Sequence, residues 1–170
     1  MKITLKSAAV YCCIIALGGC ASLRPQPIVT KITIDEPPEK VWQVLTEFDQ
    51  YPNWNPFVQE ITGDQQVGAQ LNVKLGLGEK PMGFTPKVLT FETNEEFRWL
   101  GHMGVRGLFD GEHFFRLEPT PAGGTVFVQG EKFKGFFAHP LLAFIRTSTE
   151  QGFIEMNEAL KVRVEATAKN

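Results

Sequence analysis

An α+β fold follows from three features of the 170-residue sequence: a central run of short apolar segments separated by turn residues, a helical apolar period near the C-terminus, and a lone strand with short helices in front. Short apolar segments punctuated by turns are the pattern of an antiparallel meander. A long amphipathic helix needs a broad apolar surface to lie on, and the meander is the only one the chain offers. One antiparallel sheet packed against one long terminal helix is therefore expected, in a single domain.

Ile28, Thr30, Ile32 and Ile34 alternate with Val29, Lys31 and Thr33, which makes a β-branched first strand able to bury one face. Asp35 ends it. Pro37 and Pro38 suit a helix start, and Val41, Trp42, Val44, Leu45 and Phe48 recur at helical spacing, so a helix is expected over 37–48. Residues 51–55 form a shorter turn or helix. Six strands are expected next, over 57–62, 69–75, 84–92, 97–102, 108–118 and 125–133. Gly63 with Asp64, the segments 76–81 and 93–95, and 119–124 supply the turns between them. From His139 or Pro140 to Glu165, Leu141, Leu142, Ile145, Phe153, Met156 and Leu160 share one side and Arg146, Glu150, Glu155, Glu158 and Lys161 the other.

The first twenty residues carry a different message. Lys2 and Lys6 precede an apolar run over 8–19, too short to span a bilayer as a helix but suited to a signal-sequence core. Leu17, Gly18, Gly19 and Cys20 close it, an arrangement that resembles a bacterial lipoprotein signal peptide. The expected division is a signal peptide over 1–19, a lipidated tether over 20–27 with Pro25 and Pro27, a folded domain over 28–165, and a tail over 166–170. Cleavage would remove Cys12 and Cys13, leaving Cys20 to carry the lipid and no pair for a disulfide. Ala21 and Ser22, with no aspartate after the cysteine, look like an address for the outer membrane, facing the periplasm. An ordinary secretory signal or an uncleaved anchor is the alternative.

Without Lys2 and Lys6 the chain holds 15 basic against 19 acidic side chains and no basic cluster, which argues against nucleic acid as a partner.

The order strand, two short helices, six strands and a long helix resembles the START-like, or SRPBCC, superfamily. So do particular residues: Pro38-Glu39-Lys40-Val41-Trp42 with Phe48, Tyr51-Pro52 and Trp54-Asn55 look like the family's opening segment, Phe97-Arg98-Trp99 after a Thr-Asn-Glu turn like its fifth strand, and Gly111-Glu112-His113-Phe114 like the start of its sixth. The resemblance covers 28–165 and is nearest to the group described as polyketide cyclase/dehydrase and lipid transport. It implies a helix-grip fold, a curved sheet wrapped around the C-terminal helix, with an apolar cavity for a hydrophobic small molecule or lipid. The residues alone also allow sheet and helix to close onto a solid core.

Alternation places Phe97, Trp99 and Gly101 on one strand face, and His113, Phe115 and Leu117 on one face of the following strand. With Phe84 and the helix residues Ile145, Thr149, Phe153 and Met156 they form the expected ligand lining or, equally, plain core. His113 would enter an apolar interior as a structural hydrogen-bonding group, a ligand contact or a general base. No catalytic residue is assigned beyond that candidate. Glu112 faces away if the strand is regular. His102 and His139 stand isolated, so no metal site is expected, nor any cofactor.

Two loops are apolar where loops are usually polar: residues 103–109, and 133–137 with Phe133, Phe136 and Phe137. Beside Arg106, Lys132 and Lys134 they would dip into a membrane interface, gate the cavity, or fold inward and plug it. Three functions remain open. The first is a lipid-anchored, non-enzymatic protein that carries, sequesters or senses a hydrophobic molecule. The second is a polyketide cyclase-like enzyme using His113 and a cavity carboxylate for proton transfer. The third is an envelope module that binds a protein partner.

Overall fold

The computed structural model describes residues 25–76 and 81–167, so the expected signal peptide, Cys20 and most of the 76–81 turn lie outside the described residues. The elements run β1 (Ile28–Ile34), α1 (Pro38–Thr46), a 3-10 turn (Phe48–Gln50), α2 (Tyr51–Trp54), β2 (Val58–Gly63), β3 (Leu71–Leu75), β4 (Met82–Phe84), β5 (Lys87–Glu92), β6 (Glu96–His102), β7 (Asp110–Pro119), β8 (Thr125–Lys134) and α3 (Ala138–Thr167). The fold is α+β, a curved antiparallel sheet with one long C-terminal helix on its concave face.

One expected strand is in fact two. Residues 84–92 break at Thr85-Pro86, because proline has no N–H to give a ladder. β4 pairs with β3, whereas β5 pairs with β6. The resulting sheets, β1-β8-β7-β6-β5 and β2-β3-β4, meet at this corner. A bridge from Gln70 to Lys87 joins them, with Leu71 N–H donating to Pro86 O and Val88 N–H to Ala69 O, both at 2.9 Å. The bend curls the sheet around α3. Similarly, the expected first helix stops at Thr46 and Phe48 opens a separate 3-10 turn.

α3 lies across the sheet with Phe153, Met156, Leu160 and Val164 buried. Asn157 Nδ2 donates to Thr30 Oγ1 at 2.9 Å and Lys161 Nζ to Thr33 O at 2.9 Å, which fixes the helix register against β1. The convex face is covered by charge instead. Arg98 binds Glu96 and Glu112, and the Phe114 ring lies beneath Arg98, Arg116 and Lys132 at 5.0–5.6 Å. Burial works against the Arg98 charge, but hydrogen bonds and charge from Glu96 and Glu112 outweigh it and hold the pKa above the ordinary value.

Tyr51 shows what the short helices contribute. Its ring is fully buried and its hydroxyl donates to Leu45 O at 2.7 Å, tying α2 to α1. Burial raises the phenol pKa. An unfolded tyrosine ionises near pH 10 while the folded one keeps its proton, so the unfolded state loses protons first and stability falls above about pH 10, by up to ~1.4 kcal/mol per pH unit. Tyr51→Phe is expected to lose about 1 kcal/mol at neutral pH and to flatten that alkaline fall, as urea titrations across pH 8–11 would show.

Candidate functional site

Strand register brings the candidate residues together. Trp99 stands opposite His113, and Gly101 opposite Gly111, while His113 is also opposite Glu131 on β8. Side chains alternate, so Phe97, Trp99 and Gly101, then Gly111, His113 and Phe115, then Phe127, Gln129 and Glu131 share the concave face under α3.

His113 is 3% exposed. Its ring stacks on Trp99, with centroids 4.8 Å apart and planes 10° from parallel, and Phe115 and Phe153 meet it edge-on at 4.6 and 5.1 Å. The Gln129 amide Nε2–H donates across 3.4 Å to His113 Nε2, and the same nitrogen lies 3.4 Å from Met156 Sδ. The other ring nitrogen is Nδ1. That nitrogen faces Glu131 Oε2 at 3.7 Å. Gln129 Oε1 has no hydrogen-bond partner among the described residues. Leaving a buried acceptor unmatched costs about 1–3 kcal/mol, which an incoming donor would recover.

Next to this polar group two adjacent positions on the concave face carry no side chain of their own. Gly101 and Gly111 are neighbours across β6 and β7, and two side chains cover them: the Phe84 ring, 2.9 Å from where a Gly101 Cβ would stand, and the Glu131 carboxylate over Gly111. Both are only half-buried. Phe109 and Phe133 stack at 5.2 Å and are buried at the same end of the sheet.

Of the residues expected to line a ligand, Phe97, Trp99, His113, Phe115, Thr149, Phe153 and Met156 are buried in this layer, and Ile145 and Phe84 flank it half-buried. The rings touch one another, so of the two interiors the sequence allowed, the structure has the packed one around His113. Glu112 points to the convex face, 2.5 Å from Arg98 and away from His113. Among the described residues no His, Cys, Asp and Glu group is placed to hold a metal. Sequence reasoning missed Gln129, Glu131 and the pairing of the two glycines. Alternation within the last strand carried a signal for the first two, since Phe127, Gln129 and Glu131 are in phase.

The apolar loops divide. Phe109 and Phe133 turn inward, whereas Met103, Val105, Leu108, Phe136 and Phe137 are exposed.

This geometry recurs in solved structures. The chain superposes on the Zhui aromatase/cyclase from Streptomyces sp. R1128 with a TM-score of 0.67 at 12% identity, covering 82% of this chain and 93% of that one. A START superfamily protein from Mycobacterium smegmatis gives 0.65 at 17% identity, with 84% and 99% covered. Protein MLL2253 from Mesorhizobium loti gives 0.63 at 21% identity, with 84% and 98% covered. At these identities the likeness shows the shared fold. No curated protein matches the sequence. The sequence itself matches the family described as polyketide cyclase / dehydrase and lipid transport over residues 26–165, the whole folded region from the residues before β1 into α3, and the chain belongs to that family.

Proposed function

We propose that the protein is a lipid-anchored, non-enzymatic binding protein whose helix-grip domain holds a hydrophobic small molecule or lipid on the concave face, over Gly101 and Gly111. The observation that carries this reading is a polar group with an unmatched acceptor, Gln129 Oε1 beside His113 and Glu131, set in an aromatic interior next to two adjacent glycines. Phe84 and Glu131 swing aside, the apolar body of the ligand takes the space over the glycines, and a hydroxyl or amide N–H of the ligand donates to Gln129. Family membership supports the same chemistry.

Anchoring is part of the proposal and rests on Leu17-Gly18-Gly19-Cys20, with diacylglycerol on the Cys20 sulfur in the outer membrane facing the periplasm. Two or more acyl chains at about 0.8 kcal/mol per buried CH₂ give stable attachment where one does not. Cys20→Ser is expected to move the protein from the membrane fraction to the soluble one, checked by fractionation. For the ligand, native mass spectrometry of the purified protein against a panel of lipids and aromatic metabolites is the test. Bound apolar mass is expected; a bare protein across the whole panel contradicts the proposal.

A second reading has its own observation. His113 Nδ1 and Glu131 Oε2, 3.7 Å apart, are arranged as a base with a carboxylate partner, as a cyclase-like proton transfer would need. Turnover of a polyketide-like substrate that falls at least about 100-fold in both His113→Ala and Glu131→Gln would favour it over a carrier.

A further inference from the structure

The end of the domain that carries the two apolar loops is built as a surface, and we infer that it docks on the lipid bilayer. Val105, Phe136 and Phe144 are 68%, 81% and 84% exposed, with Met103, Leu108, Phe137 and Leu141 exposed beside them. The loops that hold them are joined into one platform. Phe136 N–H donates to Gly107 O at 3.0 Å, Phe137 N–H to Leu108 O at 2.8 Å, Met103 N–H to Phe109 O at 2.9 Å, and Gly107 N–H to Asp110 Oδ1 at 2.9 Å. These four backbone donors are thus satisfied within the protein, a condition for leaving water.

α3 marks where the surface stops. Phe137, just before α3, and Leu141 and Phe144 in its first turns, at spacings of four and three, form an outward stripe, and the same stripe continues as Ser148, Gln151 and Glu155. Further along α3 the exposed apolar side chains, Ile154 and Val162, stand singly among polar ones. Charge changes with it. The chain is net negative, yet from Lys132 to Thr149 there is no acidic residue; Arg146 lies in that stretch and Arg106 on the neighbouring loop, while Lys132 and Lys134 face Glu112 at 3.8 Å on the convex side. Basic side chains around exposed aromatics complement anionic headgroups.

The chain also enters the domain here. Ile28, at the start of β1, pairs with Glu131 near the end of β8, and the Arg146 guanidinium donates to Gln26 O. Cys20 is five residues before Pro25, a reach of at most about 18 Å. Docking therefore rests partly on the anchor proposed above, which would deliver this end of the domain to the membrane.

The test uses the full-length protein in vesicles of phosphatidylethanolamine and phosphatidylglycerol, spin-labelled at one site in each of Val105→Cys, Phe144→Cys and Glu158→Cys. All three positions are exposed, and Glu158 is about 21 Å further along α3 than Phe144. At 105 and 144 collisions with oxygen are expected to exceed those with a water-soluble nickel chelate several-fold, and at 158 the order reverses. Equal chelate access at all three sites overturns docking, as does spin–spin broadening between copies at 105 or 144. The Cys20 mass is read separately. Acylated protein with labels in water overturns the docking surface alone; an unacylated Cys20 overturns the anchor, and the same three sites are then read in protein with Cys12→Ser, Cys13→Ser and Cys20→Ser, where labels that enter lipid support the docking surface.

Discussion

Phe153→Ala should lower the unfolding free energy by about 3–5 kcal/mol, the range for truncating a fully buried aromatic side chain. Phe153 is completely buried where α3 crosses the sheet, edge-on to Phe57 at 5.3 Å and to His113 at 5.1 Å. The site cannot collapse to fill the space. Gly152 lets Phe57 approach so closely that a Cβ there would stand 2.2 Å from its ring, so the neighbours are already held by backbone. Urea unfolding followed by tryptophan fluorescence measures the loss. A change below about 1.5 kcal/mol would mean that the helix is not gripped at this point.

Gly101→Leu should weaken binding of a hydrophobic ligand at least about tenfold, or about 1.4 kcal/mol. The new side chain would occupy the concave face where the ligand is proposed to lie, and its first obstacle is the half-buried Phe84 ring rather than backbone. Stability should therefore change less than it does in Phe153→Ala, which separates loss of binding from loss of fold. Isothermal titration with a ligand from the panel, alongside the same urea titration, reads both quantities. Unchanged affinity in a folded variant would place the ligand elsewhere.

The architecture was legible because it rests on periodicity. Alternating β-branched residues gave β1, and the return of helical spacing after Pro140 gave α3 to within two residues at each end. The corner at Pro86 was harder to see, because a proline breaks the ladder without breaking the apolar pattern, and Phe84, Val88 and Phe91 read through it as one strand. The site was half legible. His113, Phe115, Trp99 and Phe97 followed from alternation on two strands, whereas Gln129 and Glu131 needed the pairing of a third strand, and such partners are set by long-range register. The Gly101–Gly111 pair is invisible for the same reason: ten residues separate them in sequence and one ladder rung in space. Burial of the loops was not decided by composition. Phe133 and Phe136 are three residues apart, and only the turn at Gly135 sends one inward and the other out.

Ligand binding on the concave face can be observed directly through three methionines. Beyond Met1 the chain holds Met82, Met103 and Met156, which sit on β4, on the exposed loop and on the buried face of α3 beside Gln129. With methyl-labelled methionine, titration with palmitate and with 1-naphthol gives one NMR signal for each location. A shift of the Met156 signal, with Met103 and Met82 little changed, is the result expected of a ligand held over Gly101 and Gly111. Movement of Met103 alone, with Met156 unchanged to saturation, would contradict it and leave the protein to act through its surface.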